Sequence, residues 1–450
     1  MAGLAAAVLA SGAGTAMLLD PIGDERSPST RPAASPSATP SPDPTRTPLL
    51  AALTGDAPLP TETGLRRALR AGLRDKGLGR SVALSVVDVR TGRPLLEQDP
   101  GRLVTPASTT KILTAVAVLK ALGPDERFST TVVAGAAGEV VLVGGGDPML
   151  TAREEPVHPA PARLAELAEE VTEALGGAPV RRVVVDESLF TGPRLGPAWK
   201  RSYVTDGDVA PVSALAVDEG RTGTRPGAPR VPDPAMDAGR DLAKLLGAKR
   251  VGRGTAPDRA RVLAEVESPP VSALVEEMLS RSDNDLAEAL GRHVALAVGE
   301  PATFAGEAAA LRRVLGPLLQ RAGVRPELIA VRDASGLSRD SRLAPAVLTR
   351  LLAVAARDPR YAAVLSGLPV AGFDGTLAER FRTPPASRAA GEVRAKTGSL
   401  SGVSALAGVV RTREGRLLSF ALLADGIGST PGAQRALDRL AAVVAGCGCR

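Results

Sequence analysis

The sequence predicts an α+β fold: one antiparallel sheet drawn from both ends of the chain, helices packed on it, and a long insertion early in the chain. Three observations predict it. Strand-like alternation with a tight turn occurs near residue 80 and again beyond residue 400. Apolar residues recur at helical spacing between and after these hairpins. Two short polar motifs, Ser108-Thr109-Thr110-Lys111 and Ser282-Asp283-Asn284, stand 174 residues apart, more than one helical lobe needs.

Taken in order, Gly3 to Leu19 is an uncharged apolar run, too rich in alanine and glycine for a membrane span. It reads as an export signal or, since the usual basic start is missing, an uncleaved anchor, over residues 1–22. Residues 23–50 are rich in Pro, Ser and Thr and read as a disordered spacer. Arg80 to Val89 alternates as a strand, Arg90 to Arg93 turns, and Pro94 to Gln98 returns. Thr105-Pro106-Ala107 leads into a helix over Lys111 to Leu122, with Ile112, Leu113, Val116 and Leu119 apolar. In the insertion, Val132 to Val133, Glu139 to Val143 and Arg182 to Asp186 are strand-like, Ala160 to Leu175 helical, and Gly223 to Pro234 turns. Val403 to Arg411 and Leu417 to Ala424 form a second hairpin about the turn Thr412 to Arg416, and Ala433 to Val444 is helical. The domain reading is therefore a discontinuous catalytic domain, 51–128 with 268–450, interrupted by accessory structure over 129–267.

Composition narrows the function. Hydrophobic residues make up 44% of the 450 positions, ample for sizeable cores. Aromatics are only 2%, so no stacking platform for nucleic acid is visible and no nucleic-acid partner is expected. The net charge of +6 is spread among interleaved acids and describes a mildly basic surface. His158 and His293 are the only histidines, too few for a Ser-His-Asp triad or a zinc hydrolase site. Cys447 and Cys449 have one residue between them; a disulfide there would be strained and two ligands make no metal site, so no role is assigned to them. No cofactor or metal is expected.

The chemistry lies in an ordered trio: Ser108-x-x-Lys111, Ser282-Asp283-Asn284 and Lys396-Thr397-Gly398. Asn284 is the only asparagine, and Ser108 the only serine with a lysine three residues on. Of 55 cationic residues only 7 are lysines, and two of these stand in the motifs. Arginine cannot release its proton in a protein, whereas a buried lysine can be tuned to act as a base. Ser108 at a helix start would face free backbone N–H groups, with Lys111 one turn later on the same face.

These motifs, together with Gly144-Gly145-Gly146-Asp147-Pro148, Ala210 to Leu215, Asp333 to Arg339 and Leu368 to Leu377, resemble the D-alanyl-D-alanine carboxypeptidases/endopeptidases of the class C low-molecular-mass penicillin-binding proteins (peptidase S13). The likeness covers roughly residues 58 to 445 and extends to the large insertion between the first two motifs. It implies a penicillin-binding/β-lactamase-like transpeptidase fold and a serine carboxypeptidase acting on peptidoglycan stem peptides outside the cytoplasm, with β-lactams as covalent inhibitors. Ser108 would be the nucleophile, Lys111 the general base, Ser282 a proton relay, Asn284 a clamp on Lys111 and substrate, and Lys396 an electropositive anchor. Thr397, Gly398 and Ser399 would bind the substrate's carboxylate end; Arg339 would reach its side chain or be an ordinary surface arginine. Gly144 to Asp147 and Asp374 to Thr376 read as structural turns. Asp218-Glu219-Gly220-Arg221 departs from the family's usual asparagine there and is expected to be a surface change. The oligomeric state is left open.

Two other classes share parts of the pattern. A class A β-lactamase needs a Glu-x-x-Leu-Asn string between the second and third motifs, impossible with one asparagine. A non-catalytic relative would be expected to have lost Ser108 or Lys111, and both are present.

Overall fold

The computed structural model describes residues 57–154, 158–225 and 227–449. The expected export segment (1–22) and spacer (23–50) lie outside the described residues. Helix α1 (Glu62–Leu69) starts at Thr61, whose hydroxyl accepts the Gly64 N–H at 3.0 Å. Strands β1 (Ser81–Asp88) and β2 (Pro94–Gln98) form the first hairpin, and a 3-10 turn over Ala107–Thr110 runs into helix α2 (Lys111–Ala121). The insertion holds β3 (Ser129–Ala134), β4 (Glu139–Val143), α3 (Leu164–Ala174), β5 (Arg182–Asp186), α4 (Pro234–Leu245), β6 (Arg250–Arg253) and β7 (Val262–Glu267). Helices α5 (Val271–Arg281), α6 (Asn284–Ala297) and α7 (Phe304–Arg321) follow. Next come the short strands β8 (Ile329–Ala330) and β9 (Arg342–Leu343), then α8 (Pro345–Ala355) and α9 (Ala362–Ser366). Strands β10 (Val393–Leu400), β11 (Val403–Arg411) and β12 (Leu417–Asp425) and helix α10 (Thr430–Ala445) complete the order.

The principal sheet runs β10-β11-β12-β1-β2, antiparallel throughout, and pairs Ser81 with Asp425, so both ends of the chain share one sheet. Its burial follows from alternation. Ala405, Ala407 and Val409 of β11 belong to the core formed with α2, α5, α6 and α8, while Leu406 and Val410 belong to the core formed with α1 and α10. Each fully buried Leu or Val contributes about 1.5–3 kcal/mol of apolar transfer, so a one-residue slip of β11 would exchange both sets.

A second sheet, β6-β5-β4-β3-β7, lies within the insertion and is mixed, with β4, β5 and β6 parallel. Helices α3 and α4 cover it through Leu167, Val171, Ala238 and Leu242. Several local expectations shift here. The first helix begins at Leu164 rather than Ala160, because Pro159 and Pro161 bias their predecessors away from helix. The turn region ends where α4 starts: Asp233 caps it and Pro234 occupies its first position. Cys447 and Cys449, given no role, are joined as a disulfide. The backbone beyond α10 bends back onto the N-terminal segment, with Thr61 N–H bonded to the Cys449 carbonyl at 2.7 Å, and brings the two Cα atoms to 4.9 Å, inside the range a disulfide spans. No helix among the described residues is long and apolar enough to cross a membrane.

Candidate active site

The first motif sits on the turn into α2. Ala107 has a φ of 48°, and the hydroxyls of Thr109 and Thr110 bond back to the carbonyls of Pro106 (2.7 Å) and Ala107 (2.9 Å), which fixes this left-handed step just before Ser108. Lys111, fully buried on the first helical turn, brings Nζ to 3.2 Å from Ser108 Oγ. It donates also to Asn284 Oδ1 at 2.7 Å and to the Ser335 carbonyl at 2.8 Å. Three acceptors thus surround the amine. Burial lowers its pKa from 10.5 to about 8, against the opposing pull of Asp283, Glu288, Asp333 and Asp285.

The second motif occupies the corner between α5 and α6. Ser282 ends α5 in a left-handed conformation (φ 62°), Asp283 caps α6 through the Leu286 N–H, and Asn284 opens it. The Asn284 amide then points two ways, Oδ1 to Lys111 and Nδ2 to the Asp208 carbonyl at 2.8 Å. No hydrogen bond of the Ser282 side chain is found among the described residues.

The third motif lies on edge strand β10, against the Ser108 turn. At Gly398 an added Cβ would stand 2.8 Å from the Pro106 carbonyl oxygen, so glycine permits this approach. Lys396 is fully buried; burial, then the charge of Lys111, holds its pKa well below the ordinary lysine range. Thr397 Oγ1 bonds Thr376 Oγ1 at 2.9 Å, and Gln434 Nε2 reaches Ser399 Oγ at 3.3 Å. Arg339 is exposed and donates to the Ser401 carbonyl at 3.0 Å, beside Lys200, which bonds the Ser401 hydroxyl.

Sequence reasoning missed the loop that completes the cradle. Asp333 accepts the N–H groups of Gly336 (3.1 Å) and Ser338 (2.6 Å) and the Trp199 indole N–H (2.8 Å), which turns the Ser335 carbonyl onto Lys111. Burial, then the Glu288 charge, raises the Asp333 pKa to about 7. Gly336 (φ 84°) makes the loop possible, since a Cβ there would collide with the Ala107 carbonyl. The string Asp333 to Arg339 was visible as part of a resemblance; that its backbone grips the lysine was not. Asp374 to Thr376 is a turn, with Asp374 Oδ1 on the Val370 N–H at 2.6 Å, yet its Thr376 also supports Thr397.

One expectation is corrected. Asp218 to Arg221 is no surface feature: the Glu219 side chain is 14% exposed, ion-paired with Arg221 and, at 3.0 Å, with Arg230, which also holds Asp285 at 2.8 Å. Glu219, Asp283 and Asp285 gather there within 4.8 Å, with the two guanidinium groups supplying the positive charge. The cluster forms because residues 208–221 fold against the start of α6: Ala210 N–H bonds Asp285 Oδ1 at 2.7 Å. His293 stacks on Phe128 (3.6 Å between centroids) and contacts the Gly146 carbonyl; burial drives its pKa to about 4, so it stays neutral and packs.

A strand-edge lysine, a helix-start serine with its lysine, and an asparagine that bonds this lysine define a serine acyl-transfer enzyme built on a penicillin-binding fold. Comparisons agree. The model of the D-Ala-D-Ala carboxypeptidase 3 (S13) family matches residues 65–228 and 221–445. Carboxypeptidase DacB of Mycolicibacterium smegmatis is 39% identical over 405 residues, covering 87% of this chain and 86% of that one. The D-alanyl-D-alanine carboxypeptidase of an Actinomadura species is 29% identical over 454 residues, covering 81% of each. The crystal structure of penicillin binding protein 4 from Haemophilus influenzae shares the fold, with a TM-score of 0.67 at 22% identity over 83% of this chain and 98% of that one. The chain belongs to the D-Ala-D-Ala carboxypeptidase 3 (S13) family, whose members are serine peptidases.

Proposed function

We propose that Ser108 attacks the carbonyl of the terminal D-Ala–D-Ala bond of a peptidoglycan stem peptide and forms an acyl-enzyme that water then hydrolyses. The single observation that carries this reading is the 3.2 Å separation between Ser108 Oγ and a buried amine whose pKa lies near 8. Lys111, neutral in a fraction of molecules at physiological pH, takes the hydroxyl proton. Asn284 fixes the amine and meets the substrate amide, and Ser282 relays a proton to the leaving amine. Thr397, Gly398 and Ser399 receive the terminal carboxylate, whose charge favours the protonated form of Lys396 that burial disfavours in the free cleft, so Lys396 supplies the positive charge as substrate binds; Arg339 at the rim meets the stem's side chain. The N–H groups of Ser108 and Ser399 form the oxyanion hole, each donor worth about 3 kcal/mol.

The same attack on a β-lactam carbonyl leaves a stable adduct. The fold-sharing penicillin binding protein 4 of H. influenzae, crystallised also with a β-lactam, supports this extension. The substrate class places the enzyme outside the cytoplasmic membrane, and residues 129–267 serve as an accessory lobe beside the cleft. Incubation with an acyl-D-Ala-D-Ala peptide and measurement of free D-alanine tests the reading. Wild type releases D-alanine, spares the L-Ala-L-Ala analogue, and Ser108→Ala releases none; release by Ser108→Ala would overturn it.

A further inference from the structure

Behind Lys111 lies a second row of polar groups that the chemistry above leaves unused. Helix α6 carries Asn284, Glu288 and Arg292 at four-residue spacing, so the three side chains line one face. Asn284 bonds the Lys111 amine directly. Glu288, 1% exposed, reaches it through one residue: Oε1 accepts the Ser335 N–H at 2.8 Å, and the carbonyl of that same residue accepts Lys111 Nζ at 2.8 Å. Arg292, also 1% exposed, continues the row, with Nη1 3.1 Å from Glu307 Oε2 and its guanidinium 4.1 Å over the Phe304 ring. Gly291 sets the approach of helix to loop, because an added Cβ there would stand 2.5 Å from that of Ala334. A buried carboxylate is costly unless its oxygens are held. Here the groups that hold it belong to the loop that grips the lysine.

We infer that Glu288 is a positioning residue for the reaction: by holding the Ser335 N–H it fixes that residue so that its carbonyl holds Lys111 against Ser108, while the Arg292–Glu307 pair continues the row one turn further along α6. This rests on the reading of Lys111 as general base. Burial, then the charge of Glu288, pushes the Glu307 carboxyl well above its ordinary range, against the opposing pull of Arg292. The titratable groups around Lys111 are Asp283 at the cap of α6, Asp285 and Glu288 on α6, Asp333 from the loop and Lys396 from β10. Two of these carboxylates hold Ser335 from its two sides: Glu288 accepts its own N–H, and Asp333 accepts the N–H of Gly336, which shares a peptide unit with the carbonyl that holds the amine.

Two variants separate charge from placement. Glu288→Gln keeps an oxygen for the Ser335 N–H and removes the charge; Glu288→Asp keeps the charge and withdraws the oxygen by one methylene. Hydrolysis of an acyl-D-Ala-D-Ala peptide is measured from pH 6 to 10, with competent enzyme counted by penicillin titration. Glu288→Gln is expected to move the acid limb of kcat to lower pH by about one unit. Glu288→Asp is expected to leave that limb in place and lower kcat about tenfold at a KM within about twofold of wild type. Wild-type kcat and an unmoved limb in both variants would overturn the inference, as would losses that vanish once activity is expressed per competent site. Should Glu288→Gln fail to fold, Glu288→Asp decides alone: lowered kcat at unchanged KM supports the inference and wild-type kcat overturns it. Ser108→Ala, run alongside with fluorescent penicillin, keeps the two readings apart, since label on that variant sinks the underlying mechanism whatever Glu288 does.

Discussion

Replacing Asn284 by aspartate puts a carboxylate where an amide oxygen now stands 2.7 Å from the Lys111 amine, with almost no change of shape. An opposite charge at such range raises an amine's pKa by about one to three units. From a starting value of about 8, a shift of about two units carries Lys111 to about 10. At pH 8 the neutral fraction then falls from about one half to about one hundredth, so acylation slows about fiftyfold. The sign is definite: a raised pKa keeps the base protonated over a wider range, so activity is lost below the new value and returns above it. Labelling by fluorescent penicillin in the initial-rate regime, from pH 6 to 10.5, measures this. The reasoning fails if Asn284→Asp labels within about threefold of wild type at pH 8, or if its deficit is the same at every pH.

In the wild type the same logic makes acylation rise about tenfold from pH 7 to pH 9, as the neutral fraction of Lys111 climbs through a pKa of about 8; a flat profile in stopped-flow acylation would contradict it. Gly336→Ala forces a side chain into a left-handed position (φ 84°) against the Ala107 carbonyl, and a thermal melt should register a loss of about 2 kcal/mol or more, with slower labelling. Arg416 binds buried Asp88 through two bonds of 2.6 and 2.8 Å, and Arg416→Ala should cost about 3–5 kcal/mol in urea unfolding. Burial acts to raise the Asp88 pKa, but Arg416 and Thr91 outweigh it and hold the carboxyl below its ordinary value. The stability it contributes is therefore full above an unfolded pKa of about 3.9 and is lost as pH falls through the folded value, a loss absent from Arg416→Ala. Arg230→Ala leaves Glu219 and Asp285 without their shared guanidinium and should both lower the melting temperature and slow acylation, because Asp285 anchors residue 210 beside Asn284.

The parts of this protein that were legible in the sequence are those governed by short-range rules. Alternation placed both hairpins and so the principal sheet, and helical spacing placed α2 and α10, because those patterns follow from which face is buried. The trio Ser108–Lys111, Asn284 and Lys396 was legible because its chemistry demands particular functional groups. Helix α4 carried a readable signal, Asp233 before Pro234, masked by the glycine- and proline-rich stretch in front of it. What escaped depends on contacts between distant segments. A carbonyl such as that of Ser335 has no side-chain signature, and its role arises only where Gly336 and Asp333 bend the loop onto α2. Glu219 looked like surface because its partners, Arg230 and the acids of α6, are supplied by tertiary packing. The disulfide of Cys447 with Cys449 was set aside on spacing alone, while the bend that allows it comes from docking against Thr61.

The central claim is that Ser108 becomes covalently acylated, and mass spectrometry of the penicillin-treated protein after proteolysis addresses it most directly. The account predicts one penicilloyl group, carried by the peptide containing Ser108 and absent from Ser108→Ala. An adduct on Ser282 or another residue, or none on a folded protein at pH 8 to 9, would contradict it.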